Sequence, residues 1–294
     1  MKIGVSSYSF VGYIDELEEN TGKKCDYFHL CDKAKELGFE GIEFVGLDLK
    51  GLAKEGTELA VAKEIRAYCE KIELPVIAYT VGANLLADDI NAEMERIKKQ
   101  IDVAAELGAP LFRHDVFFEL KKEPFYNYRK AIEEVVPLVR ELTQYAKEKG
   151  VRTCTENHGL IMQDAKRVEE LILAVNHENY GWLCDMGNFL CVDENPAQSV
   201  GIAAPYAVHV HAKDFLFKSG EFAAPSGFMK TRGGNYLRGT VLGHGIVPVG
   251  SCTNALKRVG YDGWISLEFE GKERTLDALK CGRENLQAIL SQNG

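Results

Sequence analysis

Two histidines and a lysine alternate along residues 207–215, Ala-Val-His-Val-His-Ala-Lys-Asp-Phe. Successive side chains of a β-strand point to opposite sides. His209, His211 and Lys213 are therefore expected on one face, with Val208, Val210 and Ala212 on the other. Imidazoles and an ammonium on an apolar strand are costly unless they have partners. Three other strand-like segments end in a carboxylate. Glu156 closes Arg-Thr-Cys-Thr-Glu, Asp185 closes Trp-Leu-Cys-Asp, and Glu268 closes Trp-Ile-Ser-Leu-Glu. Singly, each fits an ordinary salt bridge or loop cap, and His211 fits a hydrogen-bonded core histidine. Jointly, at the ends of four successive strands, Glu156, Asp185, His211 and Glu268 predict one divalent cation site. Carboxylates with one imidazole suit Mn2+ first, or Mg2+, and tolerate Co2+ or Zn2+.

Other polar residues surround this set. His158 follows Glu156 at strand spacing and could touch substrate or simply meet solvent. Lys213 and Glu270 extend the inward-facing series beyond His211 and Glu268, which makes them candidate substrate contacts. Arg113 and His114 lie late in the fourth strand; one of them should face the mouth, and His114 is the candidate substrate ligand. His209 sits deeper than His211 and reads as its partner or as a packing residue. Glu43, in the second strand, reads as structural, bound to a lysine or arginine nearby. His29 and His177 read as surface residues.

These groups need a scaffold that brings strand ends together. Strands are predicted at 3–8, 42–45, 75–81, 111–116, 151–157, 181–185, 207–215 and 264–270. Helical runs are predicted at 27–37, 57–72, from Asp88 or Asp89 to 107, at 126–149, 164–175, 249–259 and 275–290, with another opening at Asn195-Pro196. Gly108 and Gly150 read as helix stops, and Pro137 as a kink. The polar stretch 15–24 reads as a long first loop. Eight β-then-α units predict a parallel sheet wrapped by helices and closed into an α/β (β/α)8 TIM barrel, one domain over 1–294. Active sites of such barrels lie at the carboxyl ends of the strands, where the charged groups fall. Residues 214–246, after the seventh strand, are rich in Gly, Phe and basic residues and read as a lid or substrate loop, with a disordered insertion as the alternative.

Composition narrows the function. Hydrophobic residues make up 46% of the chain, enough for a large core, so a wholly disordered protein is excluded. The net charge of −9 disfavours nucleic acid and anionic membrane partners. No apolar run reaches a membrane span, and a strand-like run begins at Lys2, which predicts a cytoplasmic protein. The eight cysteines form no Cys-x-x-Cys pair and are expected as reduced, mostly buried thiols. No Gly-x-Gly-x-x-Gly or Gly-x-x-x-x-Gly-Lys supports a nucleotide fold.

The chain resembles the xylose isomerase-like TIM-barrel family of sugar isomerases and epimerases, which includes ketose 3-epimerases, inosose dehydratases and the endonuclease IV branch. The resemblance spans the whole chain. It is carried by Gly-Phe-Glu-Gly-Ile-Glu (38–43), Thr-Glu-Asn-His (155–158), Cys-Asp-Met-Gly-Asn (184–188), His-Val-His-Ala-Lys-Asp (209–214), Gly-His-Gly-Ile-Val (243–247) and Gly-Tyr-Asp-Gly-Trp-Ile-Ser-Leu-Glu (260–268). It implies that Glu156, Asp185, His211 and Glu268 ligate one Mn2+-like ion, with Glu156 and Glu268 also acting as acid and base through an enediolate. A keto-polyol dehydratase would use the same site. Ketose 3-epimerases usually carry histidine where this chain has Asn188, and arginine where it has Phe217. Both departures point away from that specificity, and Lys230, Arg232 and Arg238 become an alternative clamp. Asn188 remains a candidate substrate contact. A DNA-repair endonuclease would need more histidines than seven and a basic groove; a non-catalytic barrel would not need the quartet. The expected partner is a small carbohydrate. Relatives often form homo-oligomers, though no stretch here singles out an interface.

Overall fold

Short β-branched and aromatic runs alternate with longer amphipathic ones along this chain, and in the computed structural model the short runs pair side by side in parallel. The structure describes residues 1–22, 24–54, 56–224 and 226–292. The barrel strands are β1 (Lys2–Ser6), β2 (Gly41–Val45), β3 (Val76–Val81), β4 (Leu111–His114), β5 (Arg152–Glu156), β6 (Tyr180–Asp185), β7 (Ala207–Ala212) and β11 (Trp264–Leu267). They close in the order β1-β11-β7-β6-β5-β4-β3-β2. The helices are α1 (Val11–Thr21), α2 (Tyr27–Glu36), α3 (Glu58–Lys71), α4 (Ile90–Leu107), α5 (Tyr128–Glu148), α6 (Ala165–Val175), α7 (Pro196–Ala203), α8 (Val249–Arg258) and α9 (Thr275–Gln292). This is the predicted (β/α)8 TIM barrel. Among the described residues, no helix is long and apolar enough to cross a membrane.

Local chemistry sets the boundaries. Asp89 caps α4 by accepting the Ala92 N–H at 3.0 Å, and Gly108 ends it at φ 76°, a conformation costly for residues with a Cβ. Asn195 accepts the Gln198 N–H, with Pro196 at the first position of α7. Pro137 lies inside α5, which continues on both sides of it. Strand side chains sort by alternation. Val5, Phe44, Tyr79, Phe112, Trp182 and Ile265 join the core beneath the helices, while Ala78, Leu111, Cys154 and Leu183 fill the barrel interior.

Three expectations are corrected. Residues 15–21 are helical, not loop, because α1 is built from good helix formers; only Tyr13 and Ile14 are buried, so no apolar stripe betrays it. Lys23 lies outside the described residues. Val208 packs against the interior cluster with Leu183, not on the outer face, because the β6–β7 register shifts between Trp182 and Leu183. Residues 214–246 are largely folded. β8 (Asp214–Lys218), β10 (Tyr236–Thr240) and β9 (Met229–Lys230) form an antiparallel sheet in the order β8-β10-β9. Phe215 and Leu237 bury one face of it against Cys191. Pro225 lies outside the described residues.

Candidate metal centre

β5, β6, β7 and β11 are consecutive neighbours around the barrel. Each delivers one polar group at its carboxyl end. Register places Asp185 opposite His211, and His211 opposite Ser266. Glu156 ends β5, and Glu268 follows the last residue of β11. One ligand atom each from Glu156, Asp185, His211 and Glu268 lies within 4.8 Å of the others.

His211 is the centre of this set. Its Nδ1 is 3.7 Å from Glu156 Oε1, 3.7 Å from Asp185 Oδ2 and 3.7 Å from Glu268 Oε2. That is beyond a hydrogen bond, and the buried Nδ1 has no hydrogen-bond partner among the described residues. Two donors bound to one ion at about 2.0–2.3 Å stand roughly 3–4 Å apart, so the spacing fits a shared cation. Asp185 is oriented for the same purpose. Its Oδ1 accepts the Gly187 and Asn188 N–H groups, both at 2.8 Å, which leaves Oδ2 facing His211. Asn157 fixes the strand end by accepting Trp182 Nε1–H and the Asp185 N–H. Oxygen-rich donors with one imidazole match a hard or borderline divalent ion.

Two cations and one amide brace the carboxylates. Arg113 Nη2 donates to Glu156 Oε2 at 2.8 Å. Asn188 Nδ2 donates to Glu156 Oε1 at 2.9 Å. Burial works against the charge on Glu156, yet Arg113 and His211 hold its carboxyl well below the usual carboxylate range. Lys213 Nζ contacts Asp185 Oδ2 at 3.0 Å, Glu270 Oε1 at 2.9 Å and Glu268 Oε2. Burial disfavours its ammonium, but Asp185, Glu268 and Glu270 keep its pKa well above that of an ordinary lysine. For Asp185 burial dominates: even with Lys213 beside it, its carboxyl is pushed up to about 7, helped by the charges of Glu156 and Glu268. His211 is also buried, and Glu43, Glu268 and Glu156 overcome that cost and raise its pKa well above the usual imidazole value.

A family model described as xylose isomerase-like TIM barrel matches residues 11–288. The chain belongs to the xylose isomerase-like TIM-barrel family. Among curated proteins, this family member is 30% identical over 229 residues to the rhizopine catabolism protein MocC of Rhizobium meliloti, covering 70% of this chain and 67% of that one. Its barrel superposes on a zinc-bound IOLI protein with a TM-score of 0.74 at 16% identity, covering 100% of this chain and 99% of that one. It also superposes on D-psicose 3-epimerase from Clostridium cellulolyticum H10, with a TM-score of 0.72 at 17% identity over 99% of each chain. At such identities these two likenesses speak for the fold alone.

The mouth of this xylose isomerase-like barrel holds a cavity of about 200 Å3 lined by Tyr8, Val45, Thr80, Arg113, Glu156 and His158, with His211, Lys213, Glu268 and Glu270 completing it. His158, Lys213 and Glu270 thus line this cavity. His158 Nδ1 lies 3.0 Å from Asp115 Oδ1, which also accepts from Arg113 Nη2 at 2.8 Å. Asn188 touches Glu156 but does not line the cavity. His114 is misplaced by the sequence reading. It is fully buried outside the cavity, with its ring near Phe112 and Tyr180 and its Nδ1 at 2.8 Å from Asp115 O; strand alternation gives the mouth to Arg113 instead. The alternative clamp is not assembled either: Arg232 pairs with Asp164, Arg238 lies over the Phe228 ring, and neither they nor Lys230 and Phe217 line the cavity.

Arg113 lines the mouth, as one of the pair Arg113 and His114 was expected to, whereas the places of Glu43 and Asp115 were not foreseen from the sequence. Among the described residues, Glu43 pairs with no lysine or arginine. It contacts His209 Nε2 at 2.8 Å and His211 Nε2 at 2.9 Å, and His209 Nε2 also lies 2.9 Å from Ser266 Oγ. An inward-facing acid in an apolar strand was the available signal; its partner came from across the barrel.

Proposed function

We propose that the protein is a divalent-metal-dependent isomerase or epimerase of a sugar or sugar derivative. The observation that carries this reading is His211 Nδ1, buried, without a hydrogen bond among the described residues, and 3.7 Å from an oxygen of each of Glu156, Asp185 and Glu268. Those residues would hold the ion, with Mn2+ the first candidate; structures of the same fold have been solved with zinc or with magnesium. When bound, the ion would act as a Lewis acid on a substrate carbonyl and its neighbouring hydroxyl, easing loss of the proton between them.

The chain's own groups divide the remaining work. β5 and β11 flank β6 and β7, so Glu156 and Glu268 stand on either side of the His211–Asp185 pair. A proton taken by one and returned by the other inverts a carbon; a proton moved between adjacent carbons exchanges aldose and ketose. Arg113 and Asn188 orient Glu156, and Lys213 orients Glu268. His158, Glu270 and Tyr8 face the same cavity, where substrate hydroxyls would lie. A small carbohydrate fits the cavity volume, and a net charge of −9 speaks against nucleic acid.

His158 favours a second reading on the same site. Held at Nδ1 by Asp115, it presents an additional acid to the cavity. Proton loss to a glutamate, with departure of a β-hydroxyl protonated by His158, would form a C=C bond and water, a dehydration.

The test is incubation of Mn2+-loaded protein in deuterated solvent with D-psicose, D-tagatose, keto-inositols and rhizopine. Carbon-bound deuterium by NMR is expected with one class of substrate, and loss of water by mass would select the dehydratase. Glu156→Gln and Glu268→Gln should each slow exchange about 100- to 10,000-fold. Absence of exchange across the panel, despite metal binding, would sink the proposal.

A further inference from the structure

Glu43, His209 and His211 also bring ligand-type atoms within 4.8 Å of one another. They do not form a second cation site, because their contacts are hydrogen bonds of 2.8–3.0 Å between buried groups. What they do form is a carboxylate that grips the ring of the central histidine from behind. Glu43 is fully buried in β2 and reaches across the barrel interior to β7, past β1 and β11. It contacts His211 Nε2 through Oε1 at 2.9 Å and Oε2 at 3.0 Å, and His209 Nε2 through Oε2 at 2.8 Å. A carboxylate only accepts, so both imidazoles must carry their proton on Nε2. Once His211 is neutral, its lone pair is then on Nδ1, the atom that faces Glu156, Asp185 and Glu268.

We propose that Glu43 is a positioning residue that fixes the tautomer and ring orientation of His211, so that Nδ1 is presented as a metal ligand. The inference rests on the metal-dependent reading above. His209 holds Glu43 from the other side through Nε2 at 2.8 Å from Oε2, and Ser266 Oγ lies 2.9 Å from the same nitrogen. The carboxylate behind a ligating histidine raises the basicity of the ligand atom as well as aiming it.

Glu43→Gln is close to isosteric but replaces one acceptor oxygen with an N–H donor. Because Oε2 meets both imidazoles, an amide nitrogen there, or at Oε1, brings an N–H donor against His211 Nε2 and favours the ring proton on Nδ1, where it opposes the ion. Titration of wild-type, Glu43→Gln and Glu43→Asp proteins with Zn2+ and with Co2+ alone tests this. Glu43→Gln should bind about 10- to 100-fold more weakly and shift the visible Co2+ spectrum, and Glu43→Asp should recover part of both. A residue that merely packs the core would lower the melting temperature and leave the spectrum of the bound ion unchanged. Equal affinity and an identical spectrum in Glu43→Gln would overturn the inference while leaving the proposed function standing. Failure of the wild-type chain to bind either ion would remove both. If Glu43→Gln does not fold, long-range 1H–15N correlation on the Zn2+-loaded wild type reads the tautomer directly: a proton on His211 Nε2 is expected, and one on Nδ1 overturns the inference.

Discussion

Arg113 Nη2 lies 2.8 Å from Glu156 Oε2, and both side chains are buried. The same nitrogen lies 2.8 Å from Asp115 Oδ1, so one guanidinium serves two buried carboxylates. Removing one partner of a buried ion pair costs about 3–5 kcal/mol, because the remaining charge stays desolvated. Arg113→Met should lower unfolding stability by about that amount at pH 7.5, measured by urea denaturation. Glu156 titrates below its unfolded value, so its stabilisation is present above the ordinary carboxylate range and lost as pH falls through the folded value. Arg113→Met should therefore flatten the acid side of the stability curve. A change within about 0.5 kcal/mol would contradict the pairing.

Asp185 behaves in the opposite sense. Burial pushes its carboxyl up to about 7, so its stabilising contribution is full at low pH and is lost as pH rises through that value. A divalent ion requires the ionised form and displaces the proton. The rise in melting temperature on adding Mn2+ or Zn2+ should be larger at pH 8 than at pH 6. Calorimetry in buffers of different ionisation enthalpy should show proton release at pH 6.5. An increment independent of pH would count against Asp185 as a ligand.

Lys213 brings one ammonium to Asp185, Glu268 and Glu270. Lys213→Met keeps the stem and removes the charge. Without added metal it should lose about 3 kcal/mol or more of stability. Added Zn2+ should restore more stability to the variant than to the wild type, because a cation then offsets the orphaned carboxylates. Thermal unfolding with and without Zn2+ measures both, and an equal metal increment in the two proteins would refute the expectation.

Asp214 joins two stretches far apart in sequence. Its Oδ1 accepts the Phe215 and Val247 N–H groups at 2.9 Å, and its Oδ2 accepts those of Gly243 and Gly245 at 2.9 and 2.8 Å. Asp214→Asn turns an amide donor toward such donors and should cost about 2–4 kcal/mol. Hydrogen exchange should accelerate at residues 243–247 while the amides of β5 and β6 keep their protection. Unchanged exchange at 243–247 would show that the carboxylate does not hold this turn.

How much of this was legible beforehand depended on the range of the interaction. Strand alternation, helix caps at Asp89 and Asn195, and the glycine stop at Gly108 are local, and each appears in the structure within a residue or two of its expected place. The quartet was legible because each member falls at the end of its own strand. α1 was missed because its stability comes from residue propensity without a wide apolar face. The sheet of β8, β9 and β10 was hidden by glycines in its connections and by Lys218, Lys230 and Arg238 within its strands.

The amino-acid order alone determined the eight-fold alternation, the helix caps at Asp89 and Asn195 and the presence of Glu156, Asp185, His211 and Glu268 at strand ends, because these depend on backbone preference and a period of two. Only closure of the barrel decided that Arg113 rather than His114 faces the cavity, that Glu43 meets His211 rather than a basic residue, and that His211 Nδ1 stands equally far from three carboxylates. Those relations join residues up to 168 positions apart. Their geometry is set by strand order and register, which no local preference encodes.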